Sequence, residues 1–265
     1  EIRKLRSALH KIDDKQSAGS KAIPAVPVMK ERTSPRQTFI HQRGSFLSPG
    51  DKVSPAAPKV LVPEGERQPG DRLEFARWLV DGKNPLVARV VVNRFWQSYF
   101  GQGLVSTSDD FGSQGSPATH PELLDWLATE FVDSGWDMKY LNRLIVTSAV
   151  YRQGAKMSSQ LRERDPKNRL LSRMPRVRLP AEQIRDQALV IGGLLKSFPG
   201  GPSVFPLQPQ NYWEDRDLPG KWKAGSGDDL HRKSLYTYWR RMALHPTMEL
   251  LDAPARAVCV SRRNS

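Results

Sequence analysis

The sequence predicts a mainly α protein: an orthogonal or bundle-like array of helices, preceded by an extended arm or β-hairpin and interrupted by long proline- and glycine-rich loops. Three observations lead there. From Asp71 to Gly193, apolar residues recur at helical spacing in segments bounded by capping or breaking residues. The connections between these segments are short, which favours antiparallel neighbours. Most of the 21 prolines fall before residue 70 or after residue 198, where no helical period is sustained. The expected organisation is therefore an N-terminal region, 1–69, and a helical domain, 70–265.

Residues 1–14 form an amphipathic helix with Ile2, Leu5 and Leu9 on one stripe, and 15–24 read as a polar linker. AVPVMKE, a turn near Thr33 to Pro35 and RQTFIHQRG make a candidate β-hairpin; the proline-rich stretch after it reads as an arm laid over the surface. Asp71 and Glu74 are spaced to cap a helix whose inner face is Leu73, Ala76, Leu79 and Val80, stopped by Asp81-Gly82. Further on, Asp137 caps a helix with Leu141, Leu144, Ile145 and Ala149 inward. The hydrophilic segment 154–168 then precedes a short helix or turn at 169–174. Pro180 starts another helix with Ile184, Ala188 and Ile191 inward and Gly192-Gly193 at its end. From Phe198 the chain reads as a long loop or small strand pair, 231–246 as a short strand or helix, and Glu249 to Asp252 as the closing element.

The stretch from Asn84 to Gly135 organises the rest. Asn84 is a plausible N-cap with Pro85 at the first helical position, and Gly101 stands where a left-handed cap is wanted. Thr119 and Glu122 have capping-box spacing for the next helix, which Gly135 ends. Around the first helix, Val87, Val90, Val91 and Phe95 form an apolar side that Leu86, Val92, Tyr99 and Phe100 widen. Arg89, Asn93 and Trp96 fall on what remains. A helix this apolar is buried, so Arg89 and Arg94 need partners, and the nearest carboxylates are Asp109 and Asp110. At least one of these aspartates is expected to pair with one of these arginines.

Forty-one Lys and Arg against 28 Asp and Glu give a formal charge of +13, which favours contact with a polyanion. A single cysteine, Cys259, excludes an internal disulfide and any cysteine-cluster metal site; lying in an apolar run, it reads as a buried thiol. No apolar run reaches the ~18 residues of a membrane span. The histidines have no metal-site spacing, and no metal or cofactor is expected in this chain. The chain opens inside a helical pattern and ends without a terminating element, as a piece of a longer protein would.

The loop 106–116, with its carboxylates, hydroxyls and glycines, is the best site candidate. Asp109, Asp110, His120 and Glu122 are the candidate catalytic groups, with His120 held neutral by the helix start it precedes. The alternative is an inter-helix loop whose aspartates neutralise arginines. Candidate binding residues are Arg89, Asn93, Arg94, Ser108 and Gln114 of the central stretch, with Arg176, Arg178, Arg232, Trp239 and Arg240 of two basic segments. Those segments, RMPRVR and HRKSLYTYWRR, either hold anions and stack on sugars or pack their aromatics inward with arginines snorkelling outward.

WLVDGKNPLVARVVVNRFWQSYFGQGLVSTSDDFGSQGSPATHPELLDWLATEFVDSGWDMKYLNRLIVTSAVYRQ, followed by NRLLSRMPRVRLPAEQIRDQAL, GGPSV and RKSLYTYWRRMALHPTMELLDAPARAVCVSRRN, resembles the C-terminal domain of unknown function 1553 of large secreted planctomycete proteins. The resemblance covers roughly residues 70 to 264. It implies an extracytoplasmic setting and a multidomain parent in which a cytochrome c module often supplies haem outside this chain. It implies no reaction. The reading that follows is an accessory domain binding a neighbouring domain of the same protein or an acidic polysaccharide. A glycan-active hydrolase built on the 106–120 carboxylates and His120 is the alternative. Nucleic-acid binding would rest on charge alone.

Overall fold

In the computed structural model, which describes residues 2–22, 26–34, 36–213, 221–240 and 243–254, the chain divides into two units, Glu1–Asp81 and Gly82–Ser265. The described residues are mainly α, with nine α-helices and one two-stranded antiparallel ribbon.

In the first unit, α1 spans Ile2–Ala22. It runs through the stretch expected to be a linker, Gly19 included, because no proline occurs before Pro24, and its Leu5, Leu9 and Ile12 are exposed. The hairpin forms with a different partner from the expected one. Strand β1, Thr38–His41, pairs antiparallel with β2, Pro49–Val53, through Thr38 with Val53 and Phe39 with Lys52. A 3-10 turn at Gln42–Gly44, with Arg43 and Gly44 at positive φ, reverses the chain. Pro49 stands at the first position of its strand, where its missing N–H is tolerated. Helix α2, Arg72–Leu79, is capped by Asp71, whose carboxylate accepts from Glu74 N–H at 2.7 Å. The Glu74 carboxylate returns to Gly70 N–H, one residue before the cap. The expected inner face is absent: Leu73 and Val80 are exposed, because the apolar residues of this eight-residue helix fall all round it.

The second unit is organised by α3, Val87–Phe100, and α4, Pro121–Asp133. Asn84 caps α3 from outside: its Oδ1 accepts from Leu86 and Val87 N–H at 3.0 and 3.2 Å, and helical geometry begins at Val87 instead of Pro85. Gly101 closes α3 at φ +73. At the end of α4, Gly135 N–H bonds Val132 O and Trp136 N–H bonds Phe131 O, with Trp136 edge-on to Phe131 at 5.1 Å. This is a Schellman closure with its apolar contact. The expected Thr119–Glu122 capping box does not form. His120 precedes the helix, Pro121 takes its first position, and Thr119 spends its N–H and hydroxyl on the Leu104 carbonyl.

The buried face of α3 is Ala88, Val92, Trp96 and Phe100 with Asn93 beside them; Val87, Val90, Val91 and Phe95 are half-buried. The inward side thus lies one residue round from the expected one, on the line where Trp96 and Phe100 stack 4.2 Å apart. The core joins Val92, Trp96 and Phe100 to Leu124, Leu127 and Phe131 of α4, to Leu104 and Val105 between them, and to Leu141 and Ile145. The last two come from α5, Met138–Thr147, which Asp137 caps as expected. Ser148 then turns to ψ 153 and caps a separate α6, Ala149–Arg152, which leaves Ala149 exposed instead of on the stripe.

Helix α7, Ser159–Arg164, forms inside the hydrophilic segment, started by the Ser158 hydroxyl on Leu161 N–H; residues 169–174 are not helical. Helix α8, Ala181–Ile191, follows Pro180, but Ala188 and Ile191 are exposed. Beyond Ala181, which is buried against Met248 and Ala253, its inward contacts are polar. Arg185 donates to the carbonyls of Leu230 and Arg232 and to Ser234 Oγ, and the Asp186 carboxylate accepts from Ser234 N–H at 2.7 Å. Burial lowers the Arg185 pKa, and the adjacent Asp186 charge opposes that shift. Residues 231–246 hold a 3-10 turn at Ser234–Tyr236 and isolated bridges, Lys196 with Arg232 and Val204 with Thr237, before α9, Pro246–Leu250. Cys259 lies outside the described residues.

Candidate anion-binding groove

The loop after α3 is closed largely by its own side chains. The Thr107 hydroxyl donates to Asp110 O and accepts from Ser116 N–H, and the Asp110 carboxylate accepts from Gly112 N–H at 2.8 Å. The Ser108 hydroxyl ties the loop to Gln97 Oε1 of α3 at 2.7 Å. The expected pairing of Asp109 or Asp110 with Arg89 or Arg94 does not occur. Arg89 reaches Asp125 of α4 at 2.6 Å, because α3 and α4 lie side by side, and also donates to Pro85 O. Arg94 is exposed and meets no carboxylate among the described residues.

Of the four candidate catalytic groups, only Asp109 lines the hollow beside this loop. It shares this space of about 320 Å³ with Ser108 and Arg94, and Asp110, His120 and Glu122 are not among its walls. His120 Nδ1 lies 3.1 Å from Thr119 Oγ1, and Glu122 is exposed on the first turn of α4. Among the described residues no three His, Cys, Asp or Glu side chains are grouped to hold a metal ion.

Several candidate binding residues turn out to hold the fold. Asn93 is fully buried and clasps Val105, donating to its carbonyl at 3.0 Å and accepting from its N–H at 2.9 Å. Arg232 is 2% exposed, between the rings of Phe198 and Tyr236, and donates to the carbonyls of Phe198, Gly200 and Pro202. It is closed to a ligand because the glycine-proline loop 198–202 wraps its charge in carbonyl dipoles. Arg240 lies over the Trp213 ring at 4.8 Å, and Trp239 packs against Ala181, Met248 and Ala253. Gln114 is exposed.

A wider concavity lies elsewhere on the second unit. It is a groove of about 990 Å³ lined by the C-terminal half of α3, the loop 101–104, residues 167–169 and Leu171, residues 174–180 and Gln183 of α8. Five cations line it, Arg94, Lys167, Arg169, Arg176 and Arg178, with no acidic side chain among its walls. Arg178 is bonded to Asp252, whereas Arg94, Lys167, Arg169 and Arg176 are exposed and meet no carboxylate among the described residues. Gln97, Gln102, Asn168 and Gln183 add amides, and Tyr99 and Tyr151 meet edge to face at 5.8 Å. Tyr99 donates to Asn142 Oδ1, and burial, with Tyr151 beside it, raises its pKa, so it stays a neutral donor.

The groove depends on local backbone chemistry. A Cβ on Gly101 would meet the Val177 side chain at 3.0 Å, so the glycine that caps α3 also admits the 174–180 segment beside it. The turn carrying Lys167 and Arg169 is held by Asp165, whose two oxygens accept from Arg169 and Leu170 N–H at 2.8 and 2.9 Å. Arg173 fastens the turn from below, donating to Asp165 O and Pro166 O. Sequence reasoning selected Arg94, Arg176 and Arg178 but missed Lys167 and Arg169. The signal was present: from Lys167 to Arg178 the chain holds five cations and no acid.

The family model described as "Protein of unknown function (DUF1553)", PSD1, matches residues 71–265. No curated protein and no solved structure matches the chain.

Proposed function

The chain belongs to the PSD1 family of proteins of unknown function, and we propose that its helical domain is a non-catalytic accessory module that holds an acidic polysaccharide in the groove. The observation that carries this reading is the wall composition: among the described residues, five basic side chains, four of them without a carboxylate partner, and no acid. Like charges gathered in one concavity repel one another, and an anionic ligand removes that cost. Amides and tyrosine hydroxyls beside the guanidinium groups suit sugar hydroxyls, and arginine forks suit carboxylate or sulfate oxygens. Among the described residues no helix is long and apolar enough to cross a membrane. The extracytoplasmic setting and the cytochrome-bearing parent implied by the resemblance belong to this proposal. So does a chain that itself carries neither metal nor haem.

The test is retention on an immobilised sulfated polysaccharide across a salt series, comparing wild type with Arg94→Glu/Arg176→Glu. Wild type is expected to be retained at low salt. The double reversal should elute much earlier, having lost about tenfold or more in affinity. No retention of wild type at low salt, or identical elution of the two proteins, refutes the proposal.

A further inference from the structure

We infer that the 165–173 turn is a preformed clamp that makes Lys167 and Arg169 the specificity-determining residues of the groove, selecting oligosaccharides with several anionic groups over singly charged sugars. The inference rests on the groove being an anion site. It adds which residues set the charge requirement and how they are held.

Two features single out this turn. The first is that it is over-determined. Besides the Asp165 carboxylate and the Arg173 guanidinium, Asn168 N–H bonds Asp165 O, Asn168 Nδ2 donates to Arg173 O at 2.7 Å, and Gln153 donates to Leu171 O at 2.7 Å. Asp165 and Arg173 are buried, although the residues they hold, Lys167 and Arg169, are exposed. The second is backbone strain at the groove wall. Asn168 and Leu171 both line the groove, at φ +52 and +53. A leucine in the left-handed region is unfavourable and persists only where surrounding contacts enforce it.

A long cation on a free loop must be ordered when it binds, whereas one whose backbone is already fixed loses less freedom. The turn therefore presents its two charges at a set spacing. The remaining free cations, Arg94 and Arg176, come from α3 and from the segment before α8. A single anionic group cannot satisfy cations contributed by three chain segments around so large a space. Successive charged sugar units can.

The experiment titrates the whole chain with sulfated glucan oligosaccharides of two to six units, with glucose 6-sulfate and unsulfated glucan as controls, at several salt concentrations. Wild type should bind the longer sulfated oligosaccharides at least about tenfold more tightly than glucose 6-sulfate. Lys167→Ala/Arg169→Ala should erase most of that preference and lower the salt dependence by about two ions.

The decisive variants leave both groove cations in place. Asp165→Asn removes a negative charge beside the groove, so attraction by charge alone predicts tighter binding; the clamp predicts weaker binding, by about three- to tenfold. Asn168→Gly, which keeps the buried Asp165, should weaken binding in the same direction and covers the case in which Asp165→Asn fails to fold. Oligosaccharide affinity in both, or in the one that folds, equal to or above wild type overturns the clamp. If wild type binds and Arg94→Glu/Arg176→Glu weakens it while the clamp variants do not, the groove reading stands and the clamp falls. Failure of wild type to bind any sulfated probe overturns both.

Discussion

Asn93 separates a structural from a ligand-binding role more sharply than any other residue of the central helix. Its side chain is fully buried and exchanges two hydrogen bonds with Val105, itself 4% exposed, and a Cβ on the neighbouring Gly103 would meet its amide at 2.5 Å. Replacing Asn93 by leucine fills nearly the same volume but strands the Val105 N–H and C=O away from water. Each stranded backbone group costs about 1–3 kcal/mol, so the expected loss is about 2–4 kcal/mol, tempered by local relaxation. Asn93→Ala adds a cavity against Trp96 and Leu104 and should cost somewhat more. In urea, with a slope of about 2 kcal/mol per molar, the midpoint of unfolding should fall by about 1–2 M with an unchanged slope. Folded protein below the transition should bind the sulfated probe as wild type does. A midpoint shift under about 0.3 M, or loss of binding without loss of stability, would refute the clasp and return Asn93 to the ligand-binding set.

Two further expectations concern buried groups. His245 is 3% exposed; its Nε2 meets Leu207 O at 3.0 Å and its Nδ1 accepts from Thr247 N–H, which requires the neutral ring. Burial, with Arg185 adding in the same sense, lowers its pKa against the opposing backbone bonds to Leu207 and Pro206. The unfolded chain then binds a proton that the folded chain does not. This contribution is complete above about pH 6.5 and is lost as pH falls through the folded pKa, at no more than about 1.4 kcal/mol per pH unit. His245→Gln should flatten that part of the stability profile, and an unchanged acid slope would contradict the assignment. At Gly115 an added Cβ would lie 2.1 Å from Asp110 O, so Gly115→Ala must open the 107–116 loop. It should lower the thermal midpoint by several degrees, measured by circular dichroism, and leave the binding of sulfated oligosaccharide in the groove unchanged.

What was legible in the sequence follows the reach of each interaction. Caps and stops depend on neighbours a few residues away: Asp71, Gly101, Gly135 and Asp137 act as their spacing indicates, whereas Asn84 caps a helix that begins two residues later than expected and Thr119 turns to Leu104 instead of capping α4. Facing was less legible where apolar residues surround a helix. On α3 the periodicity could not choose between Val87-Val91-Phe95 and Ala88-Val92-Trp96-Phe100, and the choice was made by aromatic packing against α4 and α5. On α8 the inward side is carried by an arginine and an aspartate, which a search for apolar stripes passes over. Ion pairing was misplaced for a related reason. The sequence offers Asp109 and Asp110 as the first acids after Arg89, but helix packing supplies Asp125 from 36 residues away.

The two basic segments show why composition could not locate the groove. RMPRVR and HRKSLYTYWRR both mix arginine with apolar or aromatic residues, yet Arg232 is buried while Arg176 is exposed. The difference lies in what the rest of the chain provides. Opposite Arg232 stands a loop of glycines and prolines whose carbonyls are free to accept, and the rings of Phe198 and Tyr236 cover both faces of its guanidinium. That arginine's charge is spent inside the fold. Arg176 sits between Pro175 and Val177 in a segment held beside α3 through Gly101, with no carbonyl cage built over it. Its charge, like those of Arg94, Lys167 and Arg169, stays directed at solvent. The formal excess of +13 therefore overstates what a partner can meet: the cations that matter are the ones the fold leaves uncompensated, and on the second unit four of these gather in one groove.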